Sequence, residues 1–169
     1  MKKAVFIVCF AVVASGAYVA HSMINPWIEC GNDIACGAQK AGFNFPLKVE
    51  NYTVRAMDGM LELRFPLKDG RKVIVRKAET FEGEADENGI MDISGDYNQY
   101  PVNKTVTLDN GVKFSVRGED NSYKVVNFAA ETGYYSIMCD EGLNKADIEY
   151  FYDLLAEAEA PKYDEDEPM

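Results

Sequence analysis

Residues 105–158 read TVTLDNGVKFSVRGEDNSYKVVNFAAETGYYSIMCDEGLNKADIEYFYDLLAEA, and their pattern decides the fold. Val106 and Leu108 alternate before Asp109-Asn110-Gly111, and Val112, Phe114 and Val116 alternate after it. A two-residue Asn110-Gly111 turn would set these apolar rows on opposite faces of a hairpin, because strand side chains alternate with period two. A three-residue loop over Asp109-Asn110-Gly111 instead pairs Leu108 with Val112 and Val106 with Phe114. One face is then apolar, and Gly111 takes a positive φ. A polar turn at Gly118–Ser122, a strand at Tyr123–Ala129, the turn Glu131-Thr132-Gly133 and a strand at Tyr134–Cys139 complete a four-stranded meander.

A helix closes the meander. Asn144 is a good N-cap, Asp147 stands three residues on as in a capping box, and Leu143 is placed to staple onto Ile148. Ile148, Phe151, Tyr152, Leu155 and Ala158 recur at helical spacing, and Pro161 stops the helix soon after. The resulting stripe needs an apolar partner, and the preceding sheet is the nearest one.

Upstream lies a second meander. Tyr52–Met57 and Met60–Leu67 flank Asp58-Gly59, a strong two-residue turn signal. That register pairs Tyr52 with Phe65, Val54 with Leu63 and Ala56 with Leu61, and it sets Arg55 opposite Glu62. After Lys68-Asp69-Gly70 a strand over Lys72–Lys77 returns, bringing Val73 to Phe65 and Arg76 near Glu62. Before these strands, Asn25-Pro26-Trp27 opens a short, broken helix, with a second start at Asn32 or Asp33 and a stop at Gly42. Trp27, the sole tryptophan, reads as a packing anchor for this arm. The fold class is α+β: an antiparallel, curved sheet of about seven strands, a short N-terminal helix, and a C-terminal helix on the apolar face.

The chain's 169 residues suit one domain with ends. Its net charge is −11, with 28 acids against 17 basic residues, which argues against a nucleic-acid partner. Residues 1–22 have the form of a signal peptide: Lys2 and Lys3, an apolar Ala4–Val13, then small-x-small sites at Ser15-Gly16-Ala17 and Ala20-His21-Ser22. The alternative is an uncleaved anchor, since Ala4–Ala20 carries no charge. Residues 23–160 form the single domain, and 161–169 an acidic, disordered tail. The expected location is therefore secreted, periplasmic or cell-envelope, with membrane contact only through an uncleaved leader.

Export gives the cysteines meaning. Cys30, Cys36 and Cys139 suggest one disulfide and one thiol left over. Cys30 and Cys36 fall in one predicted helical region, where a spacing of six puts them on different faces, so the expected bridge is Cys30–Cys139, with Cys36 a buried free thiol or a second choice of partner. Redox chemistry lacks a C-x-x-C pair, and zinc lacks ligands.

Glu79–Tyr100 is a long, acidic connection. Glu84-x-Asp86-x-Asn88-Gly89 with Asp92 matches part of a calcium loop, but Glu84 stands where Asp belongs and Gly95 where a bidentate Glu belongs; no metal is expected. Tyr97 and Tyr100 are the candidate ligand-contact residues of this loop. The one histidine, His21, lies at the leader boundary, which leaves the mature chain without Ser-His or Cys-His pairs. No catalytic residue and no cofactor are expected.

Thr132-Gly133-Tyr134-Tyr135-Ser136-Ile137, Gly142-Leu143 and the helix Asn144–Glu159 resemble the closing strand and helix of extracytoplasmic bacterial domains. Those domains are related in fold to lipoprotein-carrier and sigma-regulator sensor domains. The likeness spans about the last 30 residues, and the whole chain is similar to small secreted proteins of anaerobic bacteria. It implies a curved sheet whose concave face holds an apolar ligand, and it carries over no functional residue. The expected function is a non-enzymatic secreted or envelope binding domain for a protein, peptide or apolar small molecule. A membrane-tethered adaptor is the first alternative, and a carboxylate-dependent hydrolase the second.

Overall fold

The computed structural model describes residues 25–45, 49–80 and 82–159, with side chains as far as Leu155. The expected leader, residues 1–22, the tail, residues 161–169, and the side chain of Ala158 lie outside these described residues. Strands β1 (Ile28–Gly31), β2 (Thr53–Met57), β3 (Met60–Pro66), β4 (Lys72–Ala78), β5 (Val102–Thr107), β6 (Lys113–Glu119), β7 (Ser122–Ala130) and β8 (Gly133–Leu143) form one antiparallel sheet. Helix α1 (Ile34–Ala41) precedes β2, and helix α2 (Lys145–Glu159) follows β8. The strand order is β1-β2-β3-β4-β8-β7-β6-β5, so the two meanders join through their last strands.

Both hairpin registers follow from alternation and turn chemistry. Val54 faces Leu63, Arg55 faces Glu62 and Ala56 faces Leu61 across the Asp58-Gly59 turn, while Phe65 faces Val73 on β4. Val106 faces Phe114, the Leu108 N–H donates to the Val112 carbonyl at 2.9 Å, and Gly111 has φ +85°. The three-residue loop thus keeps the apolar row on one face.

The sheet has two distinct faces. Val54, Leu63, Val75, Ile137, Val126 and Val116 stand opposite one another on six successive strands, and all are buried. This inner face is covered by the helices. Phe151 of α2 meets Phe65 with ring centroids 6.4 Å apart, and Tyr152 meets Phe114 and Phe128 at 5.8 and 6.0 Å. Full burial of a ring such as Phe151 contributes about 2–3 kcal/mol. The capping box is formed: the Asp147 N–H donates to Asn144 Oδ1 at 3.0 Å, and the Asn144 N–H donates to Asp147 Oδ2 at 2.9 Å. Arg71, in the β3–β4 turn, ties the helix start to the sheet by donating to Asp147 and to the Gly142 carbonyl.

The amino-terminal segment corrects two expectations. Ile28–Gly31 is an edge strand on β2, which raises the strand number to eight, and only Ile34–Ala41 is helical. Asp33 caps that helix by accepting from the Ala35 and Cys36 N–H groups, and Gly42 ends it at φ +86°. The disulfide joins Cys30 to Cys36, with Cα atoms 5.8 Å apart, and Cys139 is a buried free thiol. The expected Cys30–Cys139 bridge assumed one helix through both Cys30 and Cys36. Instead the chain reverses at Gly31, φ +62°, and the Asp33 N–H donates to the Cys30 carbonyl, which folds the strand's end back onto the helix.

Candidate functional site

Among the described residues, the outer face carries a dense charge cluster around Glu62. Arg55, Glu62, Arg76, Ser136, Asn127, Ser115 and Thr105 face one another in a row that crosses β2, β3, β4, β8, β7, β6 and β5. Glu62 is 0% exposed and accepts from three guanidinium groups: Arg55 Nε at 2.6 Å, Arg64 Nε at 2.6 Å and Arg76 Nε at 2.6 Å. Burial by itself pushes the Glu62 carboxyl up, but the hydrogen bonds from Arg55, Arg64 and Arg76 outweigh it and hold the group below its ordinary value. Trp27 closes this cluster from the amino-terminal arm, its ring 4.5 Å from the Arg55 guanidinium carbon and 5.1 Å from that of Arg76.

The Glu79–Tyr100 connection lies across part of the same face. Ile93 and Ser94 are buried, Ile93 packs with Met60 and Ala78, and Arg76 donates to the carbonyls of Ile93 and Ser94. Arg117 anchors the connection from β6 through Asp92 Oδ2 at 2.7 Å. Two of the acids that resembled calcium ligands have other partners. Asp86 Oδ1 accepts from the Asn88 and Ile90 N–H groups, and Asp92 Oδ1 accepts from Ser94. Among the described residues no three His, Cys, Asp or Glu side chains come together as a metal site.

Tyr97 and Tyr100 stand in different surroundings. Tyr97 is 93% exposed, whereas Tyr100 is half-buried and donates its hydroxyl to Asp96 Oδ2 at 2.8 Å. Burial, and then the Asp96 hydrogen bond, push the Tyr100 phenol above its ordinary range. Neither tyrosine lines the groove described next.

The outer face lies open near the β3–β4 turn. There the β4–β8 ladder ends at Ile74 and Met138, and β8 leaves its regular register with β7 before Leu143. A groove of about 490 Å³ occupies this corner. Pro66, Ile74 and Met138 supply apolar lining, Thr53 and Arg64 stand on the β2–β3 side, and Lys72 sits between. Among the lining residues Asp140 is the one carboxylate. Arg64 gives its Nε to Glu62, and its side chain is 46% exposed, so the guanidinium's terminal nitrogens are left for a partner in the groove. Lys72 has no ion-pair partner among the described residues.

Among the groove's own lining residues, Arg64 and Lys72 are the cations and Asp140 the carboxylate, in a chain of net charge −11. Sequence reasoning found the Arg55–Glu62–Arg76 contacts but missed Arg64 and Lys72. The signal was there: Arg64 follows Glu62 by two on one strand, which places it on the same face.

Comparison of the chain with protein-family models, with curated proteins and with solved structures finds no match.

Proposed function

We propose that the chain is a non-enzymatic binding domain of the secreted or cell-envelope class, and that the groove at the β3–β4 corner is its contact surface. The carrying observation is a concave, largely apolar lining joined to two cationic side chains, Arg64 and Lys72, the combination that fixes the orientation of a small ligand. The inner face is covered by α1 and α2, and part of the outer face by Trp27 and residues 90–94, whereas this corner of the outer face stays accessible. Among the groove residues no second carboxylate faces Asp140, and Glu62 is held by three arginines, so the arrangement supports binding rather than acid–base hydrolysis. The Cys30–Cys36 bridge supports an oxidising compartment. Among the described residues no helix is long and apolar enough to cross a membrane.

The test is native mass spectrometry of the protein taken gently from its own host. The expected spectrum shows the chain without residues 1–22 and with a bound small molecule that is lost in a Met138→Gln variant. Bare protein under every condition would contradict the small-molecule reading. Retention of residues 1–22 would favour the tethered adaptor.

A further inference from the structure

Resting on the groove reading above, we infer that the occupant is an amphiphile of the fatty-acid class, with one carboxylate head and an unbranched apolar chain. The placement of the lining residues leads there. Thr53, Arg64, Ile74 and Met138 are successive partners on β2, β3, β4 and β8, so they form one row across the outer face. The row is polar at its β2–β3 end and apolar at its β4–β8 end. From Arg64 to Met138 it crosses two strand spacings, roughly 10 Å. A head group at Arg64 lays its chain over Ile74 and Met138.

The head is set by the cations. With Nε on Glu62, Arg64 offers its two terminal nitrogens side by side, a geometry that matches the two oxygens of a carboxylate. Lys72 stands diagonally across from Arg64, since Lys72 faces Pro66 and Ile74 faces Arg64. The Thr53 side chain stands beside Arg64 on the neighbouring strand. Asp140 at the far side opposes a second negative charge on the ligand, which favours a singly charged head.

The tail is set by the lining. The N–H and C=O groups of a sheet lie in its plane, so a molecule lying on the face meets side chains alone. Over the apolar end of the row those are Ile74 and Met138. Ile74 and Met138 still pair across β4 and β8, so an extended peptide laid over them would leave its own backbone groups without partners, whereas an acyl chain has none to satisfy. Met138 adds a side chain that adapts to chains of different shape.

Calorimetric titration of the full chain with decanoate, acetate, decyltrimethylammonium and a short Asp/Glu peptide tests this. Decanoate is expected to bind at least tenfold more tightly than the other three probes. Affinity should rise about two- to fourfold for each CH₂ added from butanoate to octanoate, the lengths that the row of roughly 10 Å covers. Lys72→Gln should weaken decanoate about two- to fivefold, as for an exposed ion pair, and Met138→Gln should flatten the chain-length dependence. Unchanged urea midpoints in both variants will show that folding is intact. Equal binding of decyltrimethylammonium, lost in Met138→Gln, would overturn the carboxylate assignment and leave the groove reading standing. Preference for the acidic peptide would overturn the fatty-acid class in favour of a peptide. Absence of binding by every probe, or decanoate binding unchanged in both variants, would overturn the inference and the groove reading together.

Discussion

Replacing Glu62 with Gln removes one negative charge from the centre of three arginines and leaves the volume almost unchanged. Glu62 is 0% exposed, and the Arg55 and Arg76 side chains that face it are 17% and 13% exposed. Removing one partner from a buried ionic cluster costs about 3–5 kcal/mol, because the remaining charges stay buried without compensation. Arg64, at 46% exposure, adds no more than about 1 kcal/mol. The amide oxygen of Gln still accepts one hydrogen bond, which places the expected loss near the lower limit, about 3 kcal/mol. With a urea slope of about 2 kcal/mol/M, the unfolding midpoint should fall by about 1.5 M. The sign of the pH dependence follows from the lowered carboxyl value. Stability from Glu62 is present above the unfolded value near 4.5 and is lost as pH falls through the lower folded value. The gap between wild type and Glu62→Gln should therefore narrow in acid. A midpoint shift at neutral pH below about 0.5 M, worth about 1 kcal/mol, would refute the view that this cluster is a desolvated unit.

Other perturbations address the rest of the molecule. Gly37→Ala should destabilise the fold by about 1–2 kcal/mol in urea titration even though Ala favours helices, because a Cβ there would lie 2.5 Å from Val54 Cγ1 and 3.2 Å from Leu61 Cδ1. Asn144→Ala should cost about 1 kcal/mol and expose the first turn of α2 to amide exchange, since the capping box loses one of its two bonds. Removing the six-residue Cys30–Cys36 link by Cys→Ser at both positions should cost about 2 kcal/mol. In a Cys9→Ser background, Cys139 should resist thiol reagents until the protein unfolds, because burial pushes its thiol up and shields it. Ultraviolet titration should find the Tyr100 phenol ionising above the ordinary tyrosine range, and Asp96→Asn should lower it only in part, because burial is the larger cause.

Much of the fold was legible because its signals are local. Asp58-Gly59 and Asp109-Asn110-Gly111 fix hairpin registers through turn length and alternation, and Asn144 with Asp147 fixes where α2 begins. What stayed hidden depends on contacts between distant segments. The β4–β8 pairing that joins the meanders, Ile74 to Met138 and Ala78 to Tyr134, has no sequence marker, since both strands are buried between neighbours on either side. The edge strand Ile28–Gly31 is too short to announce itself by alternation, and Asn25-Pro26-Trp27 reads as the start of a helix. Taking that segment as helix also misassigned the disulfide. The candidate site shows the same division. Arg55, Glu62 and Arg76 were paired by register alone, whereas the groove exists because β4 and β8 part beyond Ile74 and Met138, a feature of the assembled sheet. Tyr97 and Tyr100 were chosen for residue type in an acidic loop, and residue type did not distinguish an exposed ring from one hydrogen-bonded to Asp96.

The central claim is that the open corner of the outer face is where this domain meets its ligand. Methyl NMR of the methionines tests it most directly, because Met138 lines the groove while Met57, Met60 and Met91 lie in the separate cluster with Ile93. On titration with decanoate, the account predicts a saturable shift of the Met138 methyl with Met57, Met60 and Met91 unmoved. A saturable shift at Met57, Met60 or Met91 with Met138 unchanged would contradict it.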